Sequence, residues 1–154
     1  LPPSDTHFLT LFTEGRIGEA LTLDLEALRV RQRECLDLVA PAALTSITNI
    51  LTSAESLAKA DRGVEVLTWL RRWIRDLVIV LVGGDREHLL HLDQAEQLHR
   101  YAQQADVGSL LDLLNEIERT EQQATRHLNV HMALETILLR LRDALGLAQT
   151  GAPA

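Results

Sequence analysis

This sequence predicts an all-α domain, a compact bundle of about six helices, on three observations. Hydrophobic residues make up 46% of its 154 residues but aromatics only 3%, with Leu and Ala dominant. That mixture is poor in the β-branched and aromatic residues that fill strands. Apolar residues recur at three, four or seven positions through most of the chain, and no stretch shows sustained strand alternation. No repeat of about 34 or 40 residues marks a solenoid.

Leu21, Leu25, Leu28, Cys35 and Val39 form the stripe of a first long helix, from the Gly15-to-Gly18 turn to Pro41. Pro41 suits the first turn of a second helix, where its missing N–H costs nothing, and Leu44, Ile47, Leu51, Ala54 and Ala58 supply that helix's stripe. Asp61-Arg62-Gly63 breaks it. A third helix over about Val64 to Val82 carries two apolar faces, Val66, Trp69, Trp73, Leu77 and Val80 on one and Leu67, Leu70, Ile74, Val78 and Leu81 on the other. Two apolar faces predict the central, most buried helix. The run Leu77 to Val82 would score as a strand alone, but the 3.6-residue pattern enters it unbroken.

Asp93 and Glu96 have capping-box spacing for a helix through Leu98, Tyr101, Ala102 and Ala105. Asp106 or Ser109 opens the next, with Leu110, Leu114, Ile117, Ala124 and Leu128 inward. Asn129 caps a final helix with Leu134, Ile137, Leu138, Leu141 and Leu145 inward, and Gly146 suits its end.

The formal charge of −7 disfavours phosphate-driven nucleic-acid binding by the chain as a whole. Fourteen Arg accompany the single Lys59, gathering at Arg29, Arg31 and Arg33 and at Arg71, Arg72 and Arg75. Arginine suits carboxylate pairing and protein interfaces. No apolar run approaches the roughly 20 residues of a membrane span, and no signal peptide is visible. One cysteine, Cys35, excludes an internal disulfide and fits a reducing, cytoplasmic setting. The chain opens Leu1-Pro2-Pro3-Ser4 and its single Met is Met132, so it reads as a piece of something longer.

Chemistry is hard to place on this chain. Lys59 lies between Ala58 and Ala60, so the phosphate-cradling Gly-rich loop with its Lys is missing. Cys35 sits on an apolar stripe, where a thiol is inert. His127, His131 and Glu135 fall at i, i+4 and i+8, which stacks three metal ligands on one face; a polar surface explains them better. Glu96 and His99 match one element of a di-metal carboxylate bundle, which needs a second that this chain lacks. Trp69 and Trp73 interleave with arginines as in single-strand binders, yet helical geometry turns the two sets apart and spaces Arg72 and Asp76 for an ion pair. No catalytic site and no cofactor are expected.

Two ordered stretches and a turn resemble one family. Trp69-Leu70-Arg71-Arg72-Trp73-Ile74-Arg75-Asp76-Leu77, closing at Gly83, resembles the aromatic-x-Arg-Asp-Leu-Leu helix in the C-terminal domain of the delta-prime subunit of the bacterial DNA polymerase III clamp loader. Leu128 to Leu141, with Asn129, Leu134 and Glu135, resembles its closing helix, and Glu14 to Leu21, with Gly15 and Gly18, resembles the turn that ends the AAA+ lid. Gly18 stands where ATP-hydrolysing relatives carry a sensor Arg. His131 and His91 replace family asparagines, which bears on turn hydrogen bonds at those corners. The resemblance covers about Phe8 to Leu145 and implies the end of the lid and a linker at 1–20 and a helical collar at 21–147; the terminal residues themselves read as a disordered tail at 148–154. The resemblance further implies a non-catalytic domain that joins gamma or tau and delta subunits in a ring, loads the sliding clamp and meets DNA only through the whole complex. The rival expectation is a ligand-binding or dimerisation domain of a transcription regulator, with Trp69 and Trp73 lining a pocket.

Overall fold

The computed structural model describes residues 1–123 and 129–147, and every regular element among them is helical. Nine α-helices run α1 (Pro3–Phe12), α2 (Ile17–Ala20), α3 (Leu25–Leu38), α4 (Pro41–Leu44), α5 (Ile47–Lys59), α6 (Gly63–Leu81), α7 (Ala95–Ala102), α8 (Val107–Gln123) and α9 (Val130–Ala144). Short 3-10 turns at Arg86–His88 and Leu92–Gln94 interrupt the connection from α6 to α7. The expected inward positions Ala124 and Leu128, His127 and the expected tail at 148–154 lie outside the described residues.

The central helix is α6, as its two apolar faces require. It packs on α3, α5, α7, α8 and α9, and Leu67, Leu70, Ile74 and Leu77 are fully enclosed. Trp73 meets the Tyr101 ring edge-on at 5.5 Å, and the Tyr101 hydroxyl donates to the Val39 carbonyl, tying α7 to the end of α3. The strand-like run ends as helix because Gly83, at φ +78°, lets the Gly84 N–H turn back to the Ile79 carbonyl at 2.8 Å. Gly63, where α6 begins, has a different task. A Cβ there would stand 2.2 Å from Val130 Cγ1, so its missing side chain lets α6 and α9 cross closely.

Among the described residues nine helices replace the expected six, for local reasons. The expected second helix is two, because Ser46 accepts the Asn49 N–H at 3.1 Å and Thr45 donates to the Pro41 carbonyl at 2.9 Å, ending α4 and starting α5 afresh. The restart turns α5, so Ile50 and Ala54 face inward while Ile47 and Leu51, expected inside, are 49% and 40% exposed. The first long helix starts at Leu25, capped by Asp24, and leaves Leu21 83% exposed. The Asp93 and Glu96 box does not form; α7 is entered from a 3-10 turn with no side-chain cap. Asp106 and Asn129 do cap, accepting from the Ser109 N–H at 2.8 Å and the Met132 N–H at 3.1 Å.

Helices α1 and α2 have no counterpart in the sequence reading, α2 lying where a turn was expected and α1 being the longer of the two. Helix α1 starts on Pro2-Pro3, with Pro at its first turn, and buries Phe8 and Leu9 in the common core.

Candidate functional site

The motif helix places its residues in three different settings. Trp73 is enclosed, Arg75 is exposed, and Asp76 is fully buried. The Asp76 carboxylate accepts two backbone N–H bonds, from Leu90 at 3.1 Å and from His91 at 2.7 Å. It thereby anchors the strap of residues 89–91 that returns across α6. Burial pushes this carboxyl up to about 6, against the opposing pull of the two N–H bonds. The expected Arg72 to Asp76 ion pair is not made. Arg72 turns the other way, donating to the Phe12 carbonyl at 3.1 Å with its guanidinium 4.0 Å from the Phe12 ring.

His91 is buried beneath the strap, its ring 6.4 Å from that of Trp69. Arg29 donates to Gln32 Oε1 at 2.8 Å, which orients the Gln32 amide to donate to His91 Nδ1, also at 2.8 Å. The ring proton therefore sits on Nε2, which has no hydrogen-bond partner. Burial holds this imidazole down at about 4, so it is neutral at physiological pH. This corner of the fold is thus a neutral histidine held through its backbone and one ring nitrogen.

The same network secures α1. Arg29 also pairs with Asp5 at 2.8 Å and lies 4.0 Å over the Phe8 ring, while Phe12 packs 5.4 Å from Trp69. His7 Nε2 reaches the Leu89 carbonyl at 2.8 Å, so helix and strap are bonded directly. A cleft of about 760 Å³ opens beside them, lined by Phe8, Arg33, Leu36, Leu90 and Leu92 among others. A separate lattice joins α3 to α6: Arg31 meets Glu34 at 3.3 Å and Glu65 at 2.9 Å, and Arg62 also pairs with Glu34. The Arg62 hydrogen bond is the main reason the Glu34 carboxyl is held below its usual range. Most of these arginines thus serve internal contacts, with Arg71 on Glu121 at 2.9 Å as a further case.

The remaining motif residues are distributed along the chain. Gly15, at φ +82°, closes α1 with its N–H on the Thr10 carbonyl at 2.8 Å, and Gly18 lies in α2. Leu134 is enclosed, and Glu135 lies 2.8 Å from His131 Nε2, one helical turn away. Glu96 and His99 are both exposed on α7. Among the described residues, the grouping with the spacing of a metal site is Asp85, Glu87 and His88, all exposed. Burial pushes the Cys35 thiol up to about 12, so it supplies no thiolate. Trp69 borders a cleft of about 270 Å³, but Trp73 is sealed in the core, so the pocket required by the transcription-regulator reading is not formed by the pair.

Sequence reasoning missed Phe8, Phe12, Arg29, Gln32 and His91 as a connected set. One signal was available: the two Phe residues are spaced i, i+4 after Pro2-Pro3, a helix start with one apolar face.

Together these features define an all-helical packing domain whose polar side chains fix a strap and an N-terminal helix onto a central helix. Residues 26–143, well over half of the chain, match the family described as DNA polymerase III, delta subunit, C terminal. The chain belongs to that family and is a clamp-loader-related domain. None of the curated proteins and none of the solved structures gives a match. No helix among the described residues is long and apolar enough to cross a membrane.

Proposed function

We propose that this chain is the collar domain of a delta-prime subunit, a non-catalytic cytoplasmic part of the bacterial clamp loader. It associates with gamma or tau and delta subunits so that the sliding clamp is loaded on DNA during replication. Residues 1–20 are then the end of the lid and a linker, and 21–147 the collar proper. The observation that carries the reading is family membership over 26–143, joined to the ordered motifs around Gly15, Trp73 and Asn129. Delta-prime is preferred over delta because Gly18 occupies the sensor position and the Arg75-Asp76 helix follows the delta-prime pattern. In this reading Trp73, Asp76, Asn129 and Leu134 are structural. The exposed Arg75, the half-buried Glu135 and the turn at Gly15 and Gly18 are the motif residues available to neighbours.

The test is assembly. Added in excess, the chain is expected to co-purify with gamma or tau and delta and to compete with delta-prime for them. A folded chain that leaves assembly of those subunits undisturbed overturns the reading, and competition with delta instead of delta-prime reassigns it.

A further inference from the structure

One end of the bundle gathers exposed apolar groups. Glu121, near the end of α8, meets Thr68 and Arg71 in the first half of α6, while α9 begins against Gly63 at the start of α6 and ends beside Asp106 at the start of α8, so α8 runs antiparallel to α6. Stepping back along both at about 1.5 Å per residue brings Val78 to Val82 alongside residues 107–112. The Asp106 N–H donates to the Ala144 carbonyl at 2.9 Å, which brings the end of α9 to the same place. Val82 is 68% exposed and Leu111 46% exposed here, beside the half-buried Val78 and Ile79. A large aliphatic residue left this open at a helix end is unpartnered among the described residues.

Acids outnumber arginines around this ridge. Asp85, Glu87, Asp106, Asp112 and Asp143 are exposed at this end, against Arg86, Arg140 and Arg142, and Arg140 is taken by Glu116. Among the described residues neither Asp112 nor Asp143 has an ion-pair partner. Both line a groove of about 250 Å³ between α8 and α9 whose other walls are Ser109, Leu113, Ala144 and the Glu116–Arg140 pair, which leaves the two aspartates as its unpaired charges. The exposed half of α8 therefore carries an apolar residue toward α6 and an acid-lined slot toward α9. Such a surface repels nucleic-acid phosphates and favours Lys or Arg beside an aliphatic contact.

We infer that this end of the bundle, centred on Val82, Leu111, Asp112 and Asp143, is a docking surface for a protein partner presenting an apolar helix face bordered by Lys or Arg. The inference rests on the collar reading and names the face through which association would occur. The aliphatic pair supplies the desolvated centre, and a basic side chain of the partner enters the slot between α8 and α9.

The test measures association of the chain with purified gamma or tau and delta subunits across a salt series. The Asp112→Asn/Asp143→Asn double variant and Val82→Ser are compared with Asp37→Asn, an exposed acid on α3, and thermal melts check folding. About tenfold weaker association and a flatter salt dependence are expected for the double variant, with a similar weakening for Val82→Ser. Asp37→Asn should bind as the parent does. If the parent assembles and both end-face variants assemble equally well, the docking surface is wrong while the collar reading stands. If the parent assembles with none of the subunits, the collar reading itself fails and this inference with it. Sedimentation of the chain alone supplies a further outcome: a dimer abolished by the same variants makes the occupant a second copy and overturns the assignment to a basic partner.

Discussion

The Asp76 carboxylate accepts the His91 backbone N–H at 2.7 Å, and neither residue exposes any surface. One short contact thus joins the motif helix to the strap that carries the buried imidazole. Replacing Asp76 by Ala leaves the N–H groups of Leu90 and His91 without an acceptor in the interior. A loss of about 2–4 kcal/mol is expected by chemical denaturation, since each buried orphan donor costs about 1–3 kcal/mol. A loss below about 1 kcal/mol would mean that water replaces the carboxylate.

Acid dependence follows from the same pair. Asp76 is raised from its usual 3.8 to about 6, so its contribution is fully present below about 3.8 and lost as pH rises through 6. His91 is lowered from 6.5 to about 4, so its contribution is present above 6.5 and lost as pH falls through 4. Each shift corresponds to about 3 kcal/mol, and the two oppose each other between pH 4 and 6. Asp76→Asn is therefore expected to fall more steeply in stability toward pH 4 than the parent does. Denaturation midpoints at pH 7, 6, 5 and 4 check this; parallel profiles would count against the assignment.

Gly63→Ala tests the crossing of α6 and α9. Alanine normally favours a helix over glycine, but here its Cβ meets a Val130 methyl at 2.2 Å, and a β-branched side chain has little rotameric freedom to withdraw. A destabilisation of about 1–3 kcal/mol is expected from overpacking, relieved by adding Val130→Ala. Gly108→Ala, whose Cβ would meet only an Asp106 oxygen at 3.6 Å, should be neutral or stabilising by the same thermal melts.

Phe12→Ala removes the ring that packs on Trp69 and carries the Arg72 guanidinium. Red-shifted tryptophan emission and faster amide exchange across 3–12 are expected, with α6 to α9 still protected. Uniform loss of protection would show that α1 is integral to the fold rather than clasped onto it.

Trp73→Ala should unfold the chain at about 3–5 kcal/mol below the parent, the usual range for an enclosed aromatic. Glu135→Gln, at a half-buried position paired with His131, should change the melting temperature little. An unchanged melting temperature for Trp73→Ala would remove α6 from the centre of the bundle.

Much of this architecture is written in local pattern. The two faces of α6, the caps at Asp106 and Asn129 and the break at Asp61-Arg62-Gly63 depend on residues within a turn or two, which periodicity and capping chemistry can register. The misplacements have equally local causes: Thr45-Ser46 could either continue or restart a helix, and the restart turned Ile47 and Leu51 outward. Candidate-site residues were harder. The spacing of Arg72 and Asp76 allowed an ion pair, but Arg72 gains an aromatic face and a carbonyl from α1, while Asp76 gains two N–H donors from a strap 14 and 15 residues away.

By itself the sequence determined the helical class, the central helix and the absence of a phosphate loop, because each depends on composition and near-neighbour spacing. The order of its motifs also pointed to the clamp-loader families. Only tertiary structure decided that Asp76 is an anchor, that His91 is neutral with one orphaned N–H, that Phe8 and Phe12 clasp α1 beneath Arg29 and Arg72, and that Val82 and Leu111 share an acidic end. Burial and hydrogen-bond partners belong to contacts between distant segments. Desolvation, which sets the charge of a buried carboxyl or imidazole, exists only once those segments have met.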